Sequence, residues 1–193
     1  MIRRLACVSV VTVLASALPM AGGQGGRLEP MPPIRPHLVY VPMDVAERML
    51  ELAGVAGDDV VYDLGCGDGR VAILAAKKYG ARAVGVEVDP ERIAEARANA
   101  EREGVTSLVR FIQESSVDLS EATVVTMSTP QSARWLSVNG LLDPTLTGQL
   151  KAGTRIVSNF VAGSMKNWQP ERVDRFADAQ GELRAFLYLW TKR

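Results

Sequence analysis

Residues 60–89, VVYDLGCGDGRVAILAAKKYGARAVGVEVD, carry the pattern from which the fold of this chain is predicted. Its apolar beginning, 60–62, predicts a buried strand, and a glycine-rich loop follows at 63–69. Residues 70–79 then predict a helix, and 83–86 predict a second short strand. A strand, a crossover helix and a second strand in this order are typical of a parallel α/β sheet.

The same alternation continues along the rest of the chain. We therefore predict an α/β fold, with a doubly wound, mostly parallel sheet of about seven strands and helices on both faces. In such a sheet, ligands bind at the carboxyl ends of the strands, where the strand order reverses. The predicted strands are 60–62, 83–86, 108–112, 123–127, 154–158 and 183–190, and the predicted helices are 44–53, 70–79, 89–103 and 143–150.

Two local patterns give sharper expectations. Asp44, followed by Glu47 three residues later, is a capping-box pattern, so we expect Asp44 to cap the first helix. Residues 183–190 are rich in leucine and aromatic side chains, which predicts a buried last strand.

The composition limits the class of protein and of partner. The chain has 193 residues, 47% of them hydrophobic and 23% charged, so we expect one globular domain. Lysine plus arginine equal aspartate plus glutamate, 22 against 22, so no excess of positive charge predicts a nucleic-acid partner. One histidine and two cysteines exclude a metal site rich in these residues.

The first residues differ from the rest. Residues 1–28 contain no acid, and the mostly apolar run LACVSVVTVLASAL at 5–18 follows two arginines. This order predicts a secretory signal peptide over 1–21. The alternatives are an uncleaved membrane anchor, an organelle-targeting segment and a buried first helix. Residues 22–42 are expected to be a linker and arm rich in glycine and proline, and 43–193 the ligand-binding domain.

The loop after the first strand points to a nucleoside ligand. Glycines at alternate positions, Gly65, Gly67 and Gly69, let the backbone turn tightly and approach a ligand without a Cβ atom in the way. Glu87 ends the second strand, where an acid accepts hydrogen bonds from both ribose hydroxyls. The alternative is that these glycines serve only a tight strand–helix turn.

Two acids beside the loop indicate which class of cofactor it binds. Dinucleotide-binding folds use G-x-G-x-x-G, whereas the spacing here is G-x-G-x-G, because position 70 is an arginine. Asp63 and Asp68 flank the loop and would repel a pyrophosphate, but they suit a ligand that carries an ammonium or sulfonium group. The sequence therefore favours S-adenosylmethionine over NAD.

VYDLGCGDGR, with VGVEVDPERI downstream, resembles the class I, Rossmann-like S-adenosylmethionine-dependent methyltransferases over about residues 38–190. A narrower resemblance is carried by the arm LVYVP, by Pro130-Gln131 after the fourth strand and by Asn167-Trp168-Gln169-Pro170 after the fifth. These segments are similar to the mitochondrial ATP synthase c-subunit lysine methyltransferase family and its small bacterial relatives.

The resemblance implies a set of cofactor-binding residues. The loop would line the methionine part of the cofactor, Glu87 would bind the ribose hydroxyls, and Val88 would flank the adenine. Tyr40 and Pro42 in the arm would close over the cofactor, and 127–131 would lie where the methyl group faces the acceptor. The predicted cofactor-binding residues are Tyr40, Asp63, Gly65, Cys66, Gly67, Asp68, Gly69, Glu87, Val88, Ser115 and Met127, and no catalytic residue is assigned.

Three segments depart from the family pattern. An aspartate commonly follows the third strand and holds the adenine amino group; here Ser115 is the remaining candidate. Ser128-Thr129-Pro130-Gln131 replaces the Asn/Asp-Pro-Pro-aromatic motif of amino-methylating nucleic-acid enzymes, which argues against methylation of DNA or RNA bases. Residues 133–144 also differ from the subgroup, which leaves substrate specificity open.

Other chemistry-bearing residues have ordinary first interpretations. His37 is a candidate base, but it lies in a proline-rich arm and is expected to be a surface or packing residue. Cys66 is expected to be a small loop residue rather than a nucleophile. Trp135, Trp168 and Trp190 are expected to be core or rim aromatics rather than a methyl-lysine cage.

We therefore expect an S-adenosylmethionine-dependent methyltransferase that works by in-line displacement without a metal. Its acceptor is a protein lysine if the narrower resemblance holds; the alternatives are a small-molecule O- or N-methyltransferase and a non-catalytic cofactor-binding module. We expect the protein to be exported (periplasmic or extracellular) or associated with a membrane through residues 1–21. An anchor with the domain facing the cytoplasm would give it access to the cofactor, which is made there.

Overall fold

A computed structural model of the protein describes residues 40–114, 117–128, 148–160 and 169–193. Seven strands and three long helices lie within these ranges. The helices are α1 (Met43–Ala53), α2 (Arg70–Tyr79) and α3 (Pro90–Arg102), and the strands are β1 (Val60–Leu64), β2 (Arg82–Glu87), β3 (Val109–Gln113), β4 (Val124–Met127), β5 (Arg155–Ser158), β6 (Arg172–Ala177) and β7 (Leu183–Thr191).

The strands form one sheet in the order β3-β2-β1-β4-β5-β7-β6. β1 to β5 pair in parallel, whereas β7 is antiparallel to both β5 and β6. The prediction of a mostly parallel, seven-stranded α/β sheet is confirmed. From β1 the chain builds outward through β2 to β3, and it then returns to place β4 on the other side of β1. The strand order therefore reverses between β1 and β4, which is where this class of sheet binds ligands.

Alternating side chains of β1 divide the core into two layers. Val61 faces the layer that contains buried residues of α1, α2 and α3, while Tyr62 and Leu64 face the opposite layer. In the part of the chain described, Leu119 and Leu150 contribute to that second layer. Most of the helix predicted at 143–150 lies outside the described residues, which resume at 148.

The predicted cap of the first helix is wrong. α1 is preceded by Pro42, which has extended backbone angles, and no side chain caps the helix. Asp44 lies inside the first turn, where an acid still interacts favourably with the helix dipole. Its carboxylate accepts a hydrogen bond from the backbone N–H of Val45 and forms an ion pair of 2.9 Å with Arg184 of β7. The helix thus begins before the predicted cap, and the Asp44 carboxylate binds a partner 140 positions away in the sequence.

The last strand is buried along only part of its length. Leu187 and Trp190 are buried, but Leu183 and Phe186 are exposed, which corrects the prediction of a wholly buried strand. The reason is register: residues 188–191 of β7 pair with β5, whereas the first part of the strand pairs with β6 alone. β6 was not located from the sequence, because its exposed, charged face gives it little apolar pattern.

Within the described ranges, no helix combines the length and the apolar character that a membrane crossing requires.

Candidate functional site

The carboxyl ends of β1, β2 and β4 meet beside the loop that joins β1 to α2. The backbone N–H groups of Gly65 and Cys66 both donate to the carbonyl of Val86, at 2.8 and 3.0 Å, and tie the loop to the end of β2. The loop therefore holds a fixed position at the reversal point between β1 and β4, and it brings the predicted residues of 63–69 close to Glu87.

Two loop glycines are required by both conformation and space. Gly67 and Gly69 have φ of 55° and 81°, in the left-handed region that side chains rarely adopt. A Cβ atom on Gly69 would lie 2.6 Å from the ring of Phe111, and one on Gly67 would lie 3.1 Å from the ring of Tyr40. The loop thus packs against β3 on one side and against the arm on the other.

Asp63 is a buried acid with one oxygen unused. Its side chain is fully buried next to the end of β1, and its Oδ1 accepts a hydrogen bond of 2.8 Å from the hydroxyl of Thr126. Oδ2 has no hydrogen-bond partner among the described residues. Burial raises the pKa of Asp63 to about 7; the Thr126 hydrogen bond opposes this rise, and the carboxylates of Asp68 and Glu87 add to it. A cationic ligand group would satisfy this oxygen and its charge.

Glu87 joins the end of β2 to the loop. Its Oε1 accepts from the backbone N–H groups of Val88 and Asp89, at 2.8 and 3.2 Å. Its Oε2 accepts from the N–H of Gly67, at 3.2 Å, and from the guanidinium of Arg92, at 3.5 Å. A carboxylate has about four lone-pair positions, so this set engages all of them. Any ligand hydroxyl that binds Glu87 has to replace one of these donors.

Arg70 fastens the arm to the loop. Its Nη1 donates to the carbonyl of Val41 at 2.9 Å, and its guanidinium lies 4.6 Å from the ring centroid of Tyr40. The other side of the guanidinium pairs with Asp68 at 2.7 Å. Asp68 is therefore paired within the chain, in contrast to Asp63. Tyr40 also donates its hydroxyl to Glu95 at 3.2 Å.

Two of the predicted residues, Cys66 and Met127, have buried side chains. Cys66 is buried, and burial, reinforced by Asp63 and Glu87, raises the pKa of its thiol. A protonated, buried thiol is a poor nucleophile, in agreement with the expectation that Cys66 is a small loop residue rather than a nucleophile. Met127 ends β4 opposite Leu64, but its side chain is buried in the core layer on the other face of the sheet from Asp63. Its backbone, not its side chain, borders the site.

The remaining predicted positions divide into two groups. Val88 is exposed, at 47% of its surface, directly after Glu87. Ser115, the segment 129–131 and His37 lie outside the described residues. The sequence interpretation missed Thr126, although a lone hydroxyl residue in the apolar run VVTM was a usable signal. The bonds of Arg70 to the arm and to Asp68 were also not predicted; in the sequence, Arg70 only interrupted a glycine motif.

No cluster of three or more potential metal ligands occurs in the described part of the chain.

Comparison with known proteins identifies the family. A sequence model of the ANTKMT methyltransferase domain matches residues 63–172, more than half of the chain. The chain belongs to the ANTKMT methyltransferase family. The resemblance to class I S-adenosylmethionine-dependent methyltransferases is confirmed, and with it the cofactor predicted from the acids around the glycine loop.

Two relatives match this ANTKMT-type methyltransferase over most of their own length. A protein-lysine N-methyltransferase of Saccharolobus islandicus is 45% identical over 159 residues, which is 80% of this chain and 94% of the relative. The crystal structure of an RNA methyltransferase from Salinibacter ruber, in complex with S-adenosyl-L-homocysteine, has a TM-score of 0.67 at 45% identity, covering 80% of this chain and 94% of the other.

A more distant structure supports the fold alone. The precorrin-6y C5,15-methyltransferase of Geobacter metallireducens has a TM-score of 0.60 at 14% identity and covers 80% of this chain and 90% of its own. The architecture of this ANTKMT-type chain is thus shared with enzymes of very different sequence, so the fold by itself does not identify the acceptor.

Proposed function

We propose that this enzyme transfers the methyl group of S-adenosylmethionine to the side-chain amine of a protein lysine. The observation that carries the proposal is the Saccharolobus islandicus relative, a protein-lysine N-methyltransferase that matches this chain at 45% identity over nearly its whole length. A likeness of this extent includes the region after the cofactor loop as well as the loop itself. Conserved chemistry at the acceptor is the simplest expectation from it.

The residues around the loop fit the cofactor. The unpartnered Oδ2 of Asp63 would accept a hydrogen bond from the cationic amino group of its methionine part. Gly67 and Gly69 have the left-handed backbone angles with which the loop turns from β1 into α2. Glu87 would exchange Gly67 N–H or Arg92 for the ribose hydroxyls, and the exposed Val88 would lie against the adenine.

The arm would act as a cover for the bound cofactor. Tyr40 lies on Gly67 and is held there by Arg70 and Glu95. Pro42 fixes the turn from the arm into α1. A cover of this kind would keep water away from the reacting groups and leave the arm close to the acceptor.

The cofactor supplies an electrophilic methyl group on a sulfonium, which an acceptor nitrogen attacks in line. The chain contributes positioning and charge: Asp63 would hold the amino group of the methionine part, and Glu87 would hold the ribose. The acceptor lysine has to lose its proton before it attacks. Ser115 is the predicted neighbour of the adenine, and 129–131 are predicted neighbours of the acceptor. Both lie outside the described residues.

RNA is the second candidate acceptor, because the 45% identical Salinibacter ruber protein is an RNA methyltransferase. The balance of 22 basic and 22 acidic residues favours a protein, since binding to a phosphate backbone depends on an excess of lysine and arginine.

Transfer of radiolabel distinguishes the acceptors. Purified protein is incubated with methyl-labelled S-adenosylmethionine and a lysate of the source cells depleted of endogenous cofactor. We expect label in protein that survives ribonuclease and appears as methyl-lysine after acid hydrolysis. Label that ribonuclease releases, or label only in small molecules, would contradict the proposal. Asp63→Asn, which keeps the shape but removes the charge, is the matched control for cofactor-dependent transfer.

We also propose that residues 1–21 direct the protein out of the cytoplasm or anchor it in a membrane, ahead of a linker at 22–42 and a catalytic domain at 43–193. The acid-free start and the apolar run at 5–18 support this. Membrane fractionation combined with N-terminal sequencing tests it. A protein that is recovered in the soluble cytoplasmic fraction with its original N-terminus would contradict it.

A further inference from the structure

Asp63 and Thr126 face each other across the reversal point of the sheet. They are register partners in the parallel pair β1 and β4, both side chains are fully buried, and the Thr126 hydroxyl donates to Oδ1 at 2.8 Å. This leaves Oδ2 as the oxygen without a partner. Because the Thr126 hydroxyl binds Oδ1, Oδ2 is the carboxylate oxygen that remains available to a ligand.

The surroundings of Asp63 otherwise oppose an ionised carboxylate. Burial removes water, and the charged groups that act on it, Asp68 and Glu87, are both acids; Cys66 nearby is a buried thiol. Among the described residues, the hydrogen bond from Thr126 is the one interaction with Asp63 that favours its charged form. Thr126 therefore affects both the orientation and the charge of the acid.

We propose that Thr126 is a positioning residue for the cofactor site: its hydroxyl fixes the Asp63 carboxylate so that Oδ2 is free to bind the cationic amino group of the cofactor. This inference rests on the proposed role of Asp63, and it is independent of the identity of the methyl acceptor. It also explains why a hydroxyl residue stands inside an apolar, fully buried strand.

The inference predicts a characteristic pH dependence. In Thr126→Val, which keeps the shape of the side chain, the pKa of Asp63 is expected to be higher than in the wild type, so a smaller fraction of the acid is ionised at pH 7. The variant then binds S-adenosylhomocysteine, which retains the amino group, roughly tenfold more weakly at pH 7. As the pH rises toward 9, Asp63 ionises in both proteins, so the ratio of the two dissociation constants falls; the part of the loss that comes from the orientation of the carboxylate remains. The titration of the ligand itself cancels in this ratio.

The test is calorimetric titration of the full chain with S-adenosylhomocysteine between pH 6 and 9. Thr126→Ser retains the hydroxyl and is expected to bind within about twofold of the wild type. Thr123→Val is the matched control: it removes a threonine–aspartate bond at the other end of the same strands, that of Thr123 to Asp59 at 2.6 Å. It is expected to lower the melting temperature without changing the affinity.

Two results would overturn the inference: wild-type affinity in Thr126→Val, or a loss of affinity that is the same at every pH, as a packing defect would give. If Thr126→Val does not fold, Thr126→Cys, with a weakly donating thiol, replaces it under the same criteria. Asp63→Asn distinguishes the role of Asp63 from that of Thr126. If Asp63→Asn binds as tightly as the wild type, the role of Asp63 itself is wrong; if it binds weakly and Thr126→Val does not, only the role of Thr126 is wrong.

Discussion

β1 and β4 lie side by side, and an aspartate–threonine pair lies at each end of them. At the amino ends, Asp59 accepts from Thr123 at 2.6 Å and from the backbone N–H of Ala56 at 2.8 Å, and it forms an ion pair with Arg155. At the carboxyl ends, Asp63 accepts from Thr126, and its second oxygen has no partner among the described residues. Within the described ranges, a cationic side chain pairs with the aspartate at the amino end only.

This difference distinguishes Asp59, which has its partners within the chain, from Asp63, which we propose binds the cofactor. A buried carboxylate is costly unless it is paired, so a protein that leaves one unpaired is less stable than it could be. The amino end uses its pair to hold β5 and the end of α1, because Arg155 also donates to the carbonyls of Ala53 and Gly54. At the carboxyl end, Asp63 would instead pair with the amino group of the cofactor that we propose it binds.

The largest expected effect comes from breaking the amino-end pair. Arg155→Met leaves Asp59 buried without its cation and is expected to lower the free energy of unfolding by about 2–3 kcal/mol, less than for a fully buried pair because Arg155 is partly exposed. Urea denaturation measures this. Arg155→Met combined with Asp59→Asn should recover part of the loss, and the affinity of the folded protein for S-adenosylhomocysteine should stay unchanged.

The carboxyl-end acid should behave in the opposite way. Asp63→Asn is expected to weaken binding of S-adenosylhomocysteine by about 10- to 100-fold, because a charge-assisted hydrogen bond is lost. It should not destabilise the free protein, since it removes a buried acid that lacks a cation. Calorimetry and urea denaturation measure the two properties. A large loss of stability with unchanged binding would make Asp63 a structural acid like Asp59.

The pH dependence of stability gives a further test of the difference between Asp63 and Asp59. The pKa of Asp63 is raised from its ordinary value near 3.8 to about 7 in the folded protein. A raised pKa means that the folded state binds the proton more tightly than the unfolded state, so this stabilisation is complete below pH 4 and is lost as the pH rises through 7. The stability of Asp63→Asn relative to the wild type should therefore increase between pH 4 and 7. A constant difference between the two across this range would contradict the raised pKa.

The contact between the arm and the loop offers a smaller test, because Arg70 of α2 binds both the arm and Asp68. Arg70→Met removes the bonds to Asp68 and to the carbonyl of Val41, and it is expected to cost about 1 kcal/mol of stability for a partly exposed pair. Hydrogen exchange at residues 41 and 45 should show whether the arm loosens first. Equal changes in exchange throughout β1 and β4 would show instead that Arg70 supports the whole fold.

The smallest effect belongs to an aspartate–arginine pair in solvent. Asp44 and Arg184 are bound at 2.9 Å, but both side chains are well exposed. Arg184→Gln is expected to leave the free energy of unfolding nearly unchanged, because an ion pair in solvent contributes little. This variant sets the baseline against which the Asp59 pair is judged, and a loss as large as that of Arg155→Met would remove burial as the explanation of the difference.

Local patterns predicted the framework of the fold and most of the loop. Alternating strand and helix signals located β1 to β5. The glycine spacing with Glu87 indicated the end of the sheet at which we propose that the cofactor binds. These features depend on residues that are close in sequence, so the sequence displays them directly.

Long-range partners account for what was missed. The hydrogen bond between Asp63 and Thr126 depends on the register of two strands that are far apart in the chain, and Asp44 failed as a cap because Arg184 binds it from β7. β6 is an exposed edge strand without an apolar stripe, so no periodic pattern marked it.

The position of β4 next to β1 also has a consequence for the order of folding. The strand–loop–helix unit from β1 to β2 consists of local contacts and can form early, but Thr126 reaches Asp63 only after a loop of 63 residues has closed. The glycine loop can therefore exist before its acid is held in place. We expect a bound cofactor to slow unfolding far more than it speeds folding, because its site is completed only when the late pairing is made.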